Sequence, residues 1–296
     1  MEIKHLKTFE RVALLLNFNQ AAKALNCSQS TVSAQIKLLE DNLGVLLFDR
    51  LGKKILLTEA GSKLIRYARK MMEIEKEIFS EITQNNEPVG HISIRAPQTV
   101  GTYLIPEVLE HFVRLYPRVS FNVETCSVTS LKNELRSGIV DLAFLFADHA
   151  EAKGFQTEVL KIEPLVLVAR PNHLLTMKKT IQIQDLNEET IILPKHDCGY
   201  KMVFEKILSE ANIKTASKME FNSVEAVKQC VIKGFGITII PQLSVREEIK
   251  EGKLATLPLQ DEILETSLIM IWHKKKWLSP ALTAFMNCVR KTLSLL

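Results

Sequence analysis

Residues 17–37 read NFNQAAKALNCSQSTVSAQIK, and this stretch decides how the head of the chain folds. It divides into two short helices about a tight turn. Asn19 is the expected N-cap of the first, with Ala21, Ala22 and Leu25 on one apolar face. Ser28 is the expected N-cap of the second, followed by Val32, Ile36 and Leu39 at helical spacing. The second helix therefore hides one thin apolar stripe. Its other face carries Gln29, Ser30, Thr31, Ser33, Gln35 and Lys37. None of these is a carboxylate, and all can hydrogen-bond. Such a face suits a major groove, where base edges and phosphates offer acceptors and donors. The plainer reading is two solvated helices of a small bundle, and the flanking residues decide between them.

After the pair come Leu43-Gly44-Val45-Leu46-Leu47-Phe48-Asp49-Arg50 and then Leu51-Gly52-Lys53-Lys54-Ile55-Leu56-Leu57-Thr58-Glu59-Ala60-Gly61. Gly52, between Arg50 and Lys53-Lys54, reads as the tip of a β-hairpin wing bearing three cations. Thr58 is placed to cap a further helix. This run resembles the N-terminal domain of LysR-type transcriptional regulators. The family pattern is V-S-x-x-I-x-x-L-E, then L-G-x-x-L-F-x-R, then L-T-x-A-G. Here it is met by Val32-Ser33, Ile36, Leu39-Glu40, Leu43-Gly44, Leu47-Phe48, Arg50, Leu57-Thr58 and Ala60-Gly61. One departure is Ala34, where the family often has Arg.

Charge agrees with a nucleic-acid partner. The first 70 residues hold 12 Lys+Arg against 6 Asp+Glu, a net +6, and the rest of the chain is −2. A basic head on a nearly neutral body is what phosphate binding by counterion release requires. All ten prolines lie at Pro88 or later, which suits an almost wholly helical start. Leu64, Ala68, Met71, Ile74, Ile78 and Ile82 recur at three- or four-residue intervals, predicting one long helix over 58–82 with a seam for a second chain. Asn85-Asn86-Glu87-Pro88-Val89-Gly90 reads as a hinge.

Beyond Gly90 the pattern alternates. Short apolar strands are expected at 91–96, 119–124, 141–146, 165–169, 191–193, 219–221, 236–240 and 268–272. Helices are expected at 103–115, 130–137, 201–211, 223–233 and 280–293. Alternation of this kind predicts an α/β fold with buried, mainly parallel strands. The body resembles the LysR effector-binding domain in Tyr103-Leu104-Ile105-Pro106, Tyr116-Pro117, Gly138 to Asp141-Leu142-Ala143, and Gly234-Phe235-Gly236-Ile237 to Pro241.

The resemblance implies three parts. Residues 1–58 would be an all-α winged helix-turn-helix DNA-binding domain, and 59–90 a linker and dimerisation helix with its hinge. Residues 91–296 would be an α/β effector-binding domain of the type 2 periplasmic-binding-protein-like fold. Its two subdomains would be 91–161 with 266–296, and 162–265. Phosphate and base contacts are expected from Gln29, Ser30, Thr31, Ser33, Gln35, Lys37, Arg50, Lys53 and Lys54. The cleft between subdomains is expected to bind a small anionic or polar effector at helix N-termini. The residues expected there are Thr99, Thr102, Thr129, His196, Cys198, Tyr200, Lys201 and Ser223. Pro97 stands where many family members have Ser.

The partners implied are double-stranded DNA at a promoter palindrome, the effector, and a second copy in a homodimer or homotetramer. RNA polymerase is a further candidate. The five cysteines, Cys27, Cys126, Cys198, Cys230 and Cys288, form no C-x-x-C and lack His at zinc spacing, so no metal or cofactor is expected. An alternative reading makes Cys198 the thiol of a redox-responsive regulator, with a His neighbour to lower its pKa. No G-x-S-x-G, Walker loop, G-x-G-x-x-G or H-E-x-x-H occurs, so no catalytic residue is assigned. No apolar run is long enough for a membrane span and no signal-peptide core is present, so a cytoplasmic protein is expected.

Overall fold

A computed structural model describes residues 1–51, 54–83, 87–125, 128–147, 153–195, 198–260 and 264–294. It divides into two compact units, Met1–Glu87 with Asn133–Ile139, and Pro88–Lys132 with Val140–Leu296.

The first unit begins with three helices, α1 (Ile3–Leu15), α2 (Phe18–Ala24) and α3 (Gln29–Leu43). Asn17, not Asn19, caps α2, and its carboxamide oxygen accepts from the N–H groups of Asn19 and Gln20. Phe18, the first residue of α2, is buried in the head. Ser28 caps α3 as its sequence predicts, accepting from Thr31 N–H at 3.1 Å. Gly44 closes α3 in the left-handed region at φ 68°. Leu6, Phe9, Val12, Val32, Ile36 and Leu39 are buried together, with the Phe48 ring 5.4 Å from that of Phe9 and 5.8 Å from that of Phe18.

Strands β1 (Phe48–Leu51) and β2 (Lys54–Leu57) pair antiparallel, as the wing requires. The hairpin tip, Gly52 and Lys53, lies outside the described residues. Helix α4 (Glu59–Thr83) follows. Thr58 Oγ1 accepts from Gly61 N–H at 2.9 Å and donates to the Leu46 carbonyl at 2.8 Å. A Cβ on Gly61 would overlap the Leu47 carbonyl oxygen, so only glycine lets α4 start so close to this backbone. Ion pairs Arg69–Glu10 and Lys7–Glu75, at 2.9 and 2.8 Å, tie α4 to α1. The hinge residues Asn85 and Asn86 lie outside the described residues.

The second unit contains two sheets that share one strand. The elements in order are β3 (Gly90–Ala96), α5 (Gln98–Tyr103), α6 (Ile105–Leu115), β4 (Val119–Thr125), α7 (Val128–Ser137, its residues from Asn133 on belonging to the first unit), β5 (Leu142–Ala147) and β6 (Phe155–Ala169). Next come β7 (Thr190–Pro194), α8 (Cys198–Glu210), β8 (Ser217–Phe221), α9 (Val224–Ile232), β9 (Thr238–Pro241), α10 (Arg246–Lys250), β10 (Ala255–Thr256), β11 (Glu265–His273) and α11 (Pro280–Leu293). The first sheet runs β4-β3-β5-β11-β6, using the first half of β6. Past Pro164, β6 pairs instead with β9 and β10. The parallel pair β7-β8 joins the second sheet by a bridge from Ile191 to Ile237, the residue just before β9.

The strands β3, β4 and β5 are parallel, as are β7 and β8. The expectation of mainly parallel strands is corrected, because β11 and β6 run antiparallel to their neighbours. β6 carries the chain from the first sheet into the second, and β11 returns it to the first, so both run against their neighbours. The first half of β6, FQTEVLKIE, is a strand that the sequence pattern does not announce. Its polar residues and exposed Val159 and Ile162 hide the alternation.

Candidate nucleic-acid interface and inter-subdomain cleft

The N-cap at Ser28 turns the start of α3 outward. Gln29, Ser30, Thr31 and Lys37 are exposed, and Ser33 is half-buried. Gln29 Nε2 donates to Ser33 Oγ at 2.8 Å, which leaves the Gln29 carbonyl oxygen free to accept. The hydroxyls of Ser30 and Thr31 lie 2.7 and 2.8 Å from Ser28 Oγ and reinforce the cap. Lys37 lines a concave surface of about 510 Å³ together with Ser33, Ala34, Glu40, Leu46, Phe48 and Asp49. Gln35 departs from its expected place. Its oxygen accepts from the buried Thr8 hydroxyl at 2.6 Å, so it joins α3 to α1 instead of facing outward. Arg50 and Lys54 belong to the wing strands, and Lys53 lies outside the described residues.

In the second unit, the ends of β3 and β8 deliver α5 and α9 to the same place. Ser223 caps α9, accepting from Ala226 N–H at 3.4 Å. Gln98, at the start of α5, reaches across to it. Gln98 Oε1 accepts from Val224 N–H at 2.9 Å, and its nitrogen lies 3.4 Å from Ser223 Oγ. At the other end of α5, Lys228 Nζ donates to Tyr103 Oη at 2.8 Å. Lys228 is 3% exposed and also pairs with Glu225 at 3.0 Å and with Glu248. Burial alone would lower the Lys228 pKa, but its bonds to Glu248, Tyr103 and Glu225 outweigh that and hold it above the usual lysine range.

The other expected cleft residues spread out. Thr99 is fully buried and Thr102 is exposed. Tyr200 is fully buried, its ring edge-on to Phe146 with centroids 6.1 Å apart. Lys201 pairs with Glu220 at 2.6 Å, and its hydrogen bond holds the Glu220 carboxyl below the ordinary range. Cys198 opens α8 and Thr129 lies in the first turn of α7. His196 lies outside the described residues. Sequence reasoning does not single out Gln98 or Lys228, and it names Tyr103 only within a family landmark and not as a site residue. One signal exists. Lys228 falls on the face shared by Val224, Val227 and Val231, where an unpartnered cation could not be buried. Among the described residues no cluster of His, Cys, Asp or Glu could hold a metal ion, and no helix is long and apolar enough to cross a membrane.

A winged helix-turn-helix head joined to a two-sheet α/β body defines a class of ligand-responsive regulators, and comparison with known proteins says which. Residues 3–62 match the family described as bacterial regulatory helix-turn-helix protein, lysR family, and residues 85–294 match the LysR substrate binding domain. The chain belongs to the LysR family of transcriptional regulators. It is 35% identical to the uncharacterized HTH-type transcriptional regulator YwqM of Bacillus subtilis, over 99% of both chains. It is 29% identical to the RuBisCO operon transcriptional regulator of Allochromatium vinosum, over 98% of this chain and 95% of that one. Among solved structures, full-length OxyR of Pseudomonas aeruginosa is similar with a TM-score of 0.78 and 24% identity, covering 100% of this chain and 95% of that one. Full-length CbnR in complex with its target DNA is similar with a TM-score of 0.66 and 23% identity, covering 99% and 100%.

Proposed function

We propose that this regulator reads a promoter palindrome with the exposed polar face of α3, and that a small polar molecule bound between the two subdomains of its body controls it. The carrying observation is the start of α3. There the carboxamide of the exposed Gln29 is held by Ser33, and Lys37 is exposed two turns further along the helix. A carboxamide fixed in this way is suited to an adenine edge. Lys37 and the wing cations Arg50, Lys53 and Lys54 supply phosphate contacts.

Assembly follows from α4. Tyr67, Met71, Ile74, Ile78 and Ile82 are exposed at three- to four-residue intervals, while Ile65, Ala68 and Met72 are buried. The exposed stripe pairs two chains and so sets the spacing of two heads on DNA, giving a homodimer or a homotetramer of two such pairs. Ligand binding biases the arrangement of the two subdomains and through it the arrangement of heads. RNA polymerase is the partner through which bound regulator acts, and the protein works in the cytoplasm. It carries out no catalysis.

The test is retardation of the DNA upstream of its own gene. Specific binding that survives excess random DNA supports the reading. Equal affinity for both would overturn it.

A further inference from the structure

The concave surface beside α3 is continuous with the reading face, because Ser33 and Lys37 line it. Its apolar lining is Ala34, Leu46 and Phe48. Phe48 is buried and belongs to the core of the head, which makes it a fixed floor. Ala34 is exposed, and Leu46 is 66% exposed. A large aliphatic side chain left in water forfeits the free energy of its burial.

Leu46 is nevertheless held in place. Its carbonyl accepts from Thr58 Oγ1 at 2.8 Å, and the next N–H, that of Leu47, donates to Glu40 Oε1 at 2.8 Å. The backbone is therefore pinned on both sides of a side chain that stays open to solvent. Opposite it, α3 changes character. Gln29 and Ser33 form a hydrogen-bonded row, and Ala34 then offers a bare methyl on the face it shares with Ser30 and Lys37. A longer side chain at this position would fill the concave surface.

Phosphates and most base edges present charge or hydrogen-bonding atoms, which gain nothing from an alanine and a leucine. One feature of the major groove is apolar, the C5 methyl of thymine. We propose that Ala34 and Leu46 together receive a thymine methyl and are specificity-determining residues of the DNA site. The inference rests on α3 being the base-reading helix and names what one part of it reads. Ala34 lies five residues after Gln29, about 7.5 Å along the helix axis. The thymine therefore belongs to a different base pair from the one Gln29 meets.

The experiment uses the full chain and the promoter duplex that it retards. Each thymine of the protected site is replaced in turn by deoxyuridine, which keeps the pairing and removes only the methyl. For wild type, one position should bind about fourfold more weakly as deoxyuridine, the factor for one methyl-sized group taken out of water. Leu46→Ala and Ala34→Gly should each shrink that factor toward one at the same position, a coupling that a double-mutant cycle measures. Ala34→Arg, which fills the space, should abolish it. Circular dichroism reports whether each variant is folded, and Leu46→Ala removes an exposed group, so it serves if the glycine variant does not fold. Specific retardation that is indifferent to every deoxyuridine would overturn this proposal alone. So would a methyl effect that both variants retain in full, or variants that weaken thymine and deoxyuridine duplexes alike, which would place the two residues against the sugar–phosphate backbone. Absence of specific retardation by wild type would sink the base-reading role of α3, and this proposal with it.

Discussion

Glu40 Oε1 accepts the backbone N–H of Leu47 at 2.8 Å, joining the last turn of α3 to the entry of the wing hairpin. The Phe48 N–H lies 3.4 Å from the same oxygen. Thr58 binds the Leu46 carbonyl, and Gly61 packs on the Leu47 carbonyl. Three motif positions spread over 22 residues therefore converge on one short stretch of backbone. Their common task is to fix the wing relative to the reading helix.

Glu40→Ala should cost about 1–3 kcal/mol, because it strips a part-buried N–H of its acceptor. Glu40→Gln keeps an acceptor and should lose less. Urea unfolding of the full chain gives the cost. Promoter affinity should fall with Glu40→Ala even where the protein is still folded. An unaltered affinity would show that the wing needs no such tie.

Gln29→Ala should weaken binding to the promoter site by about 1–3 kcal/mol and to random DNA far less. Ser33→Ala should lose part of the same energy, since Ser33 holds the Gln29 nitrogen. The double variant should therefore cost less than the two single losses added together. Equal loss on specific and random DNA would refute base reading by this side chain.

The head is legible in the sequence because its motif residues each have a local task. Ser28 caps, Val32 and Ile36 face inward, and Thr58 and Gly61 make their turn with their immediate neighbours. Gln35 escapes such reading because the apolar stripe of α3 is narrow, and a residue beside it turns either way. Here Thr8, 27 residues earlier, draws it in. The body's central strands are legible from apolar runs such as Leu142–Ala147. The cleft is less so. Thr99 and Ser223 are plain helix-start residues in sequence, but which side chain crosses between subdomains depends on pairs such as Gln98 and Val224, 126 residues apart. No local pattern encodes that distance.

The exposed stripe of α4 begins at Tyr67, since Leu64 packs on the core of the head. Met71→Glu with Ile78→Glu should separate the chains in sedimentation and abolish binding to a full palindrome. Both residues are exposed in the single chain, so the fold should survive, as circular dichroism would show. A double variant that still sediments as a dimer would remove this stripe from the interface.

Neutralising Lys53 and Lys54 together should weaken binding to every DNA sequence and flatten its salt dependence. Each phosphate left without its lysine should lower the log–log slope by about 0.9. Titrations at several salt concentrations on promoter and random DNA measure it. An unchanged slope would mean that the wing lysines only solvate the surface.

Lys228→Met keeps length and apolar bulk but leaves Glu248 and Glu225 without their shared cation. Removing one partner of a buried pair costs about 3–5 kcal/mol. The pH dependence identifies the cause. In wild type the Lys228 pKa is raised, so its contribution is complete below the unfolded lysine value of about 10.4 and is lost only as pH rises through the higher folded value. Wild-type stability should therefore keep this contribution between neutral pH and about pH 10. In the variant the carboxylates that shared the Lys228 cation face each other unpaired, so acid relieves the folded state more than the unfolded one and stability increases as pH falls from about 7 toward 5. Urea midpoints at these pH values separate the two proteins. A variant whose deficit stays constant across the range would show that Lys228 acts by packing alone.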